Sequence, residues 1–264
     1  EHAILPNVFS YGAALSALEK SGEWHRAMLL LQEMPGRGVE PNAVTYNAAI
    51  SAAGRAGQWQ RSLQLLREME ALRLQPDVVT FSAVISAADR GEKWALALAA
   101  LQLLCAQGFQ PDAIAYSAAL SATEKGAQWQ QALALLCQMH TNRVELQVIA
   151  CNSAAGALAL GRQWERSLAV LREMPGSLLE ADIITYTSVI RGVDLGRQWT
   201  LALDLLQEAW QRKLELDAVA YVAAVSAVGR AEHWELAAAL LQDMRDKRLR
   251  PSAMSYNAAI SACA

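Results

Sequence analysis

Five cations, Lys20, Arg55, Arg90, Lys125 and Arg230, stand at the same place in a strict 35-residue period, with Leu160 and Leu195 filling that place in the two other copies. Positive charge repeated along a chain is chemistry for a polyanion, since it lays an electrostatic track for a phosphate backbone. The same residues fall near the end of a predicted helix, where the helix dipole alone favours a cation. Both readings of the column are open. Glu19, Asp89, Glu124 and Asp194 occupy the place just before it, and the first fourteen residues of the repeats hold six basic and four acidic side chains, net +2, leaving −5 elsewhere in a chain of formal charge −3. Nucleic-acid binders ordinarily carry a basic surplus; this chain carries none. Few uncompensated cations mean few released counterions, hence modest affinity and mild salt dependence.

Catalytic chemistry has no comparable signal. His2, His25, His140 and His233 fall at different places in the period, and no two are spaced i, i+4 as metal ligands on a helix. Many carboxylates belong to repeated columns, so they read as scaffold; Glu33, Glu68, Glu173, Glu208 and Asp243 share one column and read as a solvated acidic face. There is no phosphate-cradling G-x-x-x-x-G-K-[ST] loop. Cys105, Cys137, Cys151 and Cys263 show no C-x-x-C spacing and are expected as buried small apolar groups in a reducing compartment. We therefore expect no enzyme, no metal, no cofactor and no small-molecule substrate in this segment, a catalytic domain beyond it staying open. No apolar run approaches the length of a membrane span.

The period itself is marked by Trp24, Trp59, Trp94, Trp129, Trp164, Trp199 and Trp234, and by Tyr11, Tyr46, Phe81, Tyr116, Tyr186, Tyr221 and Tyr256, with Cys151 breaking the second series. Two ladders in phase define repeats at 8–42, 43–77, 78–112, 113–147, 148–182, 183–217 and 218–252. A tail at 1–7 and a partial repeat at 253–264 flank them, so the chain is expected to be a segment of a longer protein. Within a repeat, Val44, Ile50 and Ala53 mark one face of a first helix, and a turn follows near Gly57. Trp59, Leu63, Leu66 and Met69 mark a second helix. Pro76 stops that helix and Asp77 caps the next. Proline recurs at Pro6, Pro41, Pro111 and Pro251, while Leu146, Ala181 and Leu216 replace it, which predicts a weaker stop there. One helix pair cannot enclose its own apolar stripe. The predicted fold is an all-α, right-handed α-solenoid of stacked antiparallel helix pairs, with small residues drawing the first helices into a concave layer and the tryptophans as core anchors.

The period, the opening Val44-Thr45-Tyr46-Asn47, the Glu-Met of Glu33-Met34 and Glu68-Met69, and the closing Pro-Asp or Pro-Asn together resemble the pentatricopeptide repeat, over essentially the whole chain. The uniform 35-residue length resembles its P class. This resemblance implies single-stranded RNA as partner, one base per repeat, with the base read by the fifth and last residues of a repeat and wedged by the second. It implies organellar RNA metabolism, in a mitochondrion or plastid; the alternative is a protein-interaction scaffold or structural subunit of an organellar complex such as a ribosome. No membrane partner is implied.

Carried onto this sequence, the wedges are Phe9, Val44, Val79, Ile114, Ile149, Ile184, Val219 and Met254. Packing on a neighbouring helix is the competing account of that column. The fifth residues are Gly12, Asn47, Ser82, Ser117, Asn152, Thr187, Val222 and Asn257, mostly short polar groups suited to the Watson-Crick edge of a splayed base. The closing residues are Asn42, Asp77, Asp112, Gln147, Asp182, Asp217 and Ser252, and N-capping alone accounts for most of that column. By the family's code, Asn47 with Asp77 and Asn152 with Asp182 imply U, while Thr187 with Asp217 and Ser82 with Asp112 imply G. Ser117 with Gln147 is unreadable, as are the first and seventh pairs, giving N-U-G-N-U-G-N.

Overall fold

A computed structural model describes residues 7–261, so Pro6, His2 and Cys263 lie outside the described residues. Among the described residues all regular structure is helical. The chain divides into two compact units, residues 1–126 and 127–264.

The first unit holds α1 (Val8–Ser21), α2 (Trp24–Gly36), α3 (Ala43–Arg55), α4 (Trp59–Ala71), α5 (Val78–Arg90), α6 (Trp94–Ala106) and α7 (Ala113–Lys125). Each first helix starts where a short polar side chain accepts the N–H of its third residue: Asn7 from Ser10, Asn42 from Thr45, Asp77 from Thr80 and Asp112 from Ala115. That satisfies a donor the helix cannot satisfy internally. First helices pack on first helices in the series α1, α3, α5, α7, and each second helix packs on its own first helix and on the next one. The small residues make the first contact close. A Cβ on Gly54 would stand 3.0 Å from the Ala83 carbonyl oxygen, and Ala48, Ala49, Ala52 and Ala53 are buried around it.

The second unit repeats the plan with α8 (Trp129–Thr141), α9 (Val148–Leu160), α10 (Trp164–Glu173), α11 (Ile183–Leu195), α12 (Trp199–Gln211), α13 (Ala218–Arg230), α14 (Trp234–Asp246) and α15 (Ala253–Ser261). Here α9, α11, α13 and α15 form the first-helix layer. Asp182, Asp217 and Ser252 cap as before, whereas Gln147 makes no capping bond. The predicted weaker stop does not appear: α8 and α12 end at the same repeat position as α4, because Arg143 and Lys213, like Arg73, turn the chain through the left-handed region. The αL residue ends the helix, with or without proline after it. Only α10 differs, giving way early to a 3-10 turn at Met174–Ser177 that contains Pro175.

Two expectations about side chains are corrected. The tryptophans are the first residues of the second helices and are half-buried at the rim of the core, with Trp234 exposed. They act between repeats: a Cβ built on Gly91, Gly126, Gly161 or Gly196 would meet Cδ1 of Trp59, Trp94, Trp129 or Trp164, respectively, at 2.3–2.4 Å. Each of those glycines has ordinary negative φ, so what it provides is space and not a special backbone conformation. The indole lies on the backbone of the following repeat. Cys105 and Cys137 are exposed, because they sit on outward faces of second helices, and only Cys151 is buried among the described cysteines.

Candidate nucleic-acid interface

At the start of the first helices the structure brings the fifth residue of one repeat onto the closing residue of the same repeat. Asn47 Nδ2 donates to both carboxylate oxygens of Asp77 at 3.2 and 3.3 Å, and Asn152 Nδ2 to both of Asp182 at 3.1 Å. Ser82 Oγ donates to Asp112 at 3.4 Å and Thr187 Oγ1 to Asp217 at 3.3 Å. Capping and pairing are therefore simultaneous, since one carboxylate accepts from the helix it starts and from the side chain behind it. Ser117 Oγ is buried without a hydrogen-bond partner.

A residue type that sequence reasoning missed completes the two asparagine sites. Thr80 Oγ1 lies 2.6 Å from Asn47 Oδ1 and 2.9 Å from Asp77 Oδ1, and Thr185 stands in the same relation to Asn152 and Asp182. Because a carboxylate only accepts, it must face Nδ2, and the hydroxyl proton then faces Oδ1. The amide is held in one orientation. The available signal was the Asp-x-x-Thr spacing of 77–80 and 182–185, where the threonine also closes a capping box by accepting from the backbone N–H of the capping aspartate.

Beside these polar pairs stand the second residues, and none is buried. Phe9, Val44, Val79, Ile114, Ile149, Ile184, Val219 and Met254 are 50–86% exposed, while Ser82, Asn152 and Thr187 are only 7–9% exposed. The second and fifth residues share a helix face at i, i+3. Each site is thus a low polar pair next to a raised apolar side chain. Asn257 is exposed and hydrogen-bonded or otherwise engaged, and Gly12 and Val222 offer no side-chain hydrogen bond of this kind.

The far end of the first helices is different, because most of the basic column is engaged there by the preceding repeat. Arg55 pairs with Glu19 at 3.7 Å, Lys125 with Asp89 at 2.9 Å and Arg230 with Asp194 at 3.3 Å. Lys125 also donates to the Asp89 carbonyl, Arg230 to that of Asp194, and Arg90 to that of Arg55. Each cation reaches back one repeat to the C-terminus of the preceding first helix, where carbonyls lack helical partners. Burial pushes the Asp194 carboxyl up, and the Arg230 charge draws it back. Lys20 has no preceding repeat among the described residues to serve.

The acidic column of the second helices is likewise not simply a solvated face. Tyr186 donates to Glu208 at 2.9 Å and Tyr221 to Asp243 at 2.7 Å. Burial, then the bond to Glu208, pushes the Tyr186 hydroxyl up to about 12. Glu208 is held below the usual carboxylate range chiefly by hydrogen bonding from Arg172 of the preceding repeat, at 2.7 Å.

Fold and site together define a helical repeat solenoid that presents one polar pair and one raised apolar side chain in most of its repeats. The chain belongs to the pentatricopeptide repeat family: the model of the pentatricopeptide repeat domain matches residues 1–56, 29–90 and 204–264, and that of pentatricopeptide repeat-containing proteins matches residues 77–197. Among solved structures, the pentatricopeptide repeat protein PPR10 from maize is similar at 27% identity, covering 97% of this chain and 36% of that one, with a TM-score of 0.67. PPR10 in complex with an 18-nt psaJ RNA element shares 19% identity over 99% of this chain and 43% of that one, TM-score 0.62. The PPR domain of Arabidopsis thaliana protein-only RNase P 1 in complex with tRNA shares 12% identity over 68% and 94%, TM-score 0.60. The chain spans about a third of the length of the maize protein in the first of these. No curated protein sequence matches it. No described helix is long and apolar enough to cross a membrane.

Proposed function

We propose that the chain binds single-stranded RNA along the starts of its first helices, one base per repeat, without itself catalysing a reaction. The observation that carries this reading is the second-residue column: in every repeat an apolar side chain stands half or more exposed, and exposed apolar positions in register mark an interaction surface. A base seated against such a side chain would present its Watson-Crick edge to the polar pair beneath. The solved PPR10 complex with an RNA element supports the same use of the fold. Asn47 with Asp77 and Asn152 with Asp182 read U in this proposal, and Ser82 with Asp112 and Thr187 with Asp217 read G. Its setting is RNA metabolism in a mitochondrion or plastid, as the family implies.

The test is fluorescence anisotropy with labelled U/G-rich RNA at low salt, comparing the chain with its Asn47→Thr, Asn152→Thr variant. We expect saturable binding that shifts in preference from U toward G. RNAs of every composition failing to bind would end the proposal and leave the second reading, a protein-interaction scaffold, which the engaged cations at the far helix ends favour.

A further inference from the structure

In the tyrosine column an acid stands 22 residues on from Tyr11, Tyr46, Tyr186 and Tyr221, while Tyr116 has Gln138 at that place. Tyr186 and Tyr221 bond to Glu208 and Asp243, each 22 residues further on, and Tyr46 lies close enough to Glu68 to feel its charge. Where the column holds Phe81, which has no hydroxyl to donate, residue 103 is leucine. The repeat at 148–182 breaks the pairing, because it keeps the acid as Glu173 and replaces the ring with Cys151. The Glu173 carboxylate makes no hydrogen bond or ion pair with a described residue. Beside it the space is open: a cavity of about 880 Å³, lined by Cys151, Leu133, Leu136, Val170, Met174 and Glu173. The corresponding cavities beside Tyr46 and Tyr221 hold about 620 and 650 Å³. It is also here that α10 stops short and the Met174–Ser177 turn lines the opening.

We propose that this cavity is a binding site for a phenol, its ring lying where tyrosine lies in the next two repeats and its hydroxyl donating to Glu173. The lining next to Cys151 includes Leu133, Leu136, Val170 and Met174, which suit a flat apolar ring, while His140, Thr141, Arg166 and Arg172 add polar groups to the same cavity. Burial raises the Cys151 thiol, with the Glu173 charge adding to it, so the floor stays neutral. Glu173 offers an acceptor without a partner among the described residues at the opening, which an alcohol or phenol can engage and a hydrocarbon cannot. The proposal does not rest on RNA binding: none of the paired residues Asn47, Asp77, Ser82, Asp112, Asn152, Asp182, Thr187 and Asp217 lines the cavity, although Cys151 directly precedes Asn152 in α9.

The probe is p-cresol, which is the tyrosine side chain itself, titrated by calorimetry against the full chain, with toluene as the ring lacking a hydroxyl. We expect saturable 1:1 binding of p-cresol, roughly tenfold tighter than toluene because a charged acceptor is engaged. Cys151→Tyr fills the site from within and should weaken p-cresol at least about tenfold by the same loss of space and acceptor. Glu173→Gln, at an exposed position, should narrow the gap between p-cresol and toluene, and it carries the test if Cys151→Tyr does not fold. N-acetyltyrosine amide separates the sources: binding tighter than p-cresol assigns the site to a tyrosine of a partner polypeptide, weaker binding to a free phenol. Absence of saturable p-cresol binding, equal affinity in the chain and Cys151→Tyr, or an unchanged gap in Glu173→Gln overturns the proposal.

Discussion

The two ends of the first helices carry polar columns of equal regularity and put them to opposite use. At the starts, the fifth and closing residues meet in a pair that leaves hydrogen-bonding capacity beside an exposed apolar side chain; at the far ends, the basic residues are taken up by carboxylates and carbonyls of the preceding repeat. One end is open and the other is closed on the stack. The difference teaches that a repeated charge in a solenoid need not face a ligand, because the neighbouring repeat is always the nearer partner. Substitutions at the open end should therefore change RNA binding and spare stability, and substitutions at the closed end should do the reverse.

The largest effect is expected at the closed end, where the indole lies on backbone. A Cβ on Gly161 would meet Trp129 Cδ1 at 2.3 Å and Cγ at 2.6 Å. Gly161→Val should cost about 3 kcal/mol in denaturant unfolding, and Gly161→Ala about 1 kcal/mol, since inserted carbons force strain into a packed contact. Ala56 and Ala231 hold the same repeat position, which shows that a single methyl can be fitted and sets the alanine estimate low. RNA affinity, measured where the variant is fully folded, should not move. A Gly161→Val variant as stable as the parent would mean that the indole contact is not a fastener.

Next in size is the open end. Ile149→Asp with Ile184→Asp removes two wedges at exposed sites, and we expect RNA affinity to fall by about tenfold or more, on the scale of stacking contributions per base. The unfolding midpoint should stay nearly constant, because surface substitutions rarely exceed about 0.5 kcal/mol. Were the midpoint to drop and RNA binding persist, the column would be packing after all.

A smaller effect isolates the threonines that hold the reading amides. Thr80→Val with Thr185→Val lets Asn47 and Asn152 turn over, and the U-over-G preference should fall several-fold, about 1 kcal/mol for a lost orienting hydrogen bond. Overall affinity should change less than preference. Thr80→Ser with Thr185→Ser keeps the hydroxyls and should restore the preference, which a purely structural role for threonine would not require.

Much of this was legible in the chain itself. The ladders of tryptophan and tyrosine fixed the repeat, the Asn47 and Asp77 columns located the polar pair, and the apolar stripe of Leu66 and Met69 placed the second helix, because local spacing alone carries periodicity. What escaped was contact across repeats. Arg55 reaches Glu19 and Lys125 reaches Asp89, each about one period back along the sequence, and Tyr186 reaches Glu208 across a helix pair; the residue types are those of an exposed polar surface. The glycines of the first-helix ends carry no such signal either. At Gly91, Gly126, Gly161 and Gly196 the left-handed turn falls one place later, at Glu92, Ala127, Arg162 and Arg197, and the glycine serves the indole. Only three-dimensional proximity separates a glycine needed for φ from one needed for room.

The smallest expected effect decides the comparison most directly. If Lys125 were part of a phosphate track, Lys125→Met would remove one backbone contact, and the slope of log affinity against log salt would fall by about 0.7 for single-stranded RNA. In the structure, Lys125 spends its charge on the Asp89 carboxylate and carbonyl. Replacing it frees a carboxylate at the far end of the first helices. We therefore expect the salt slope to hold, affinity to change by less than about threefold, and stability to fall by at most about 1 kcal/mol, the range for a partly exposed ion pair. Lys20 provides the internal control, since it is exposed and makes no ion pair among the described residues. Lys20→Met should leave stability untouched, and any loss of salt slope it produces would show what an unengaged cation in this column contributes. A slope that falls for Lys125→Met as much as for Lys20→Met would make the far end a second RNA-binding edge, and the contrast between the two ends would not stand.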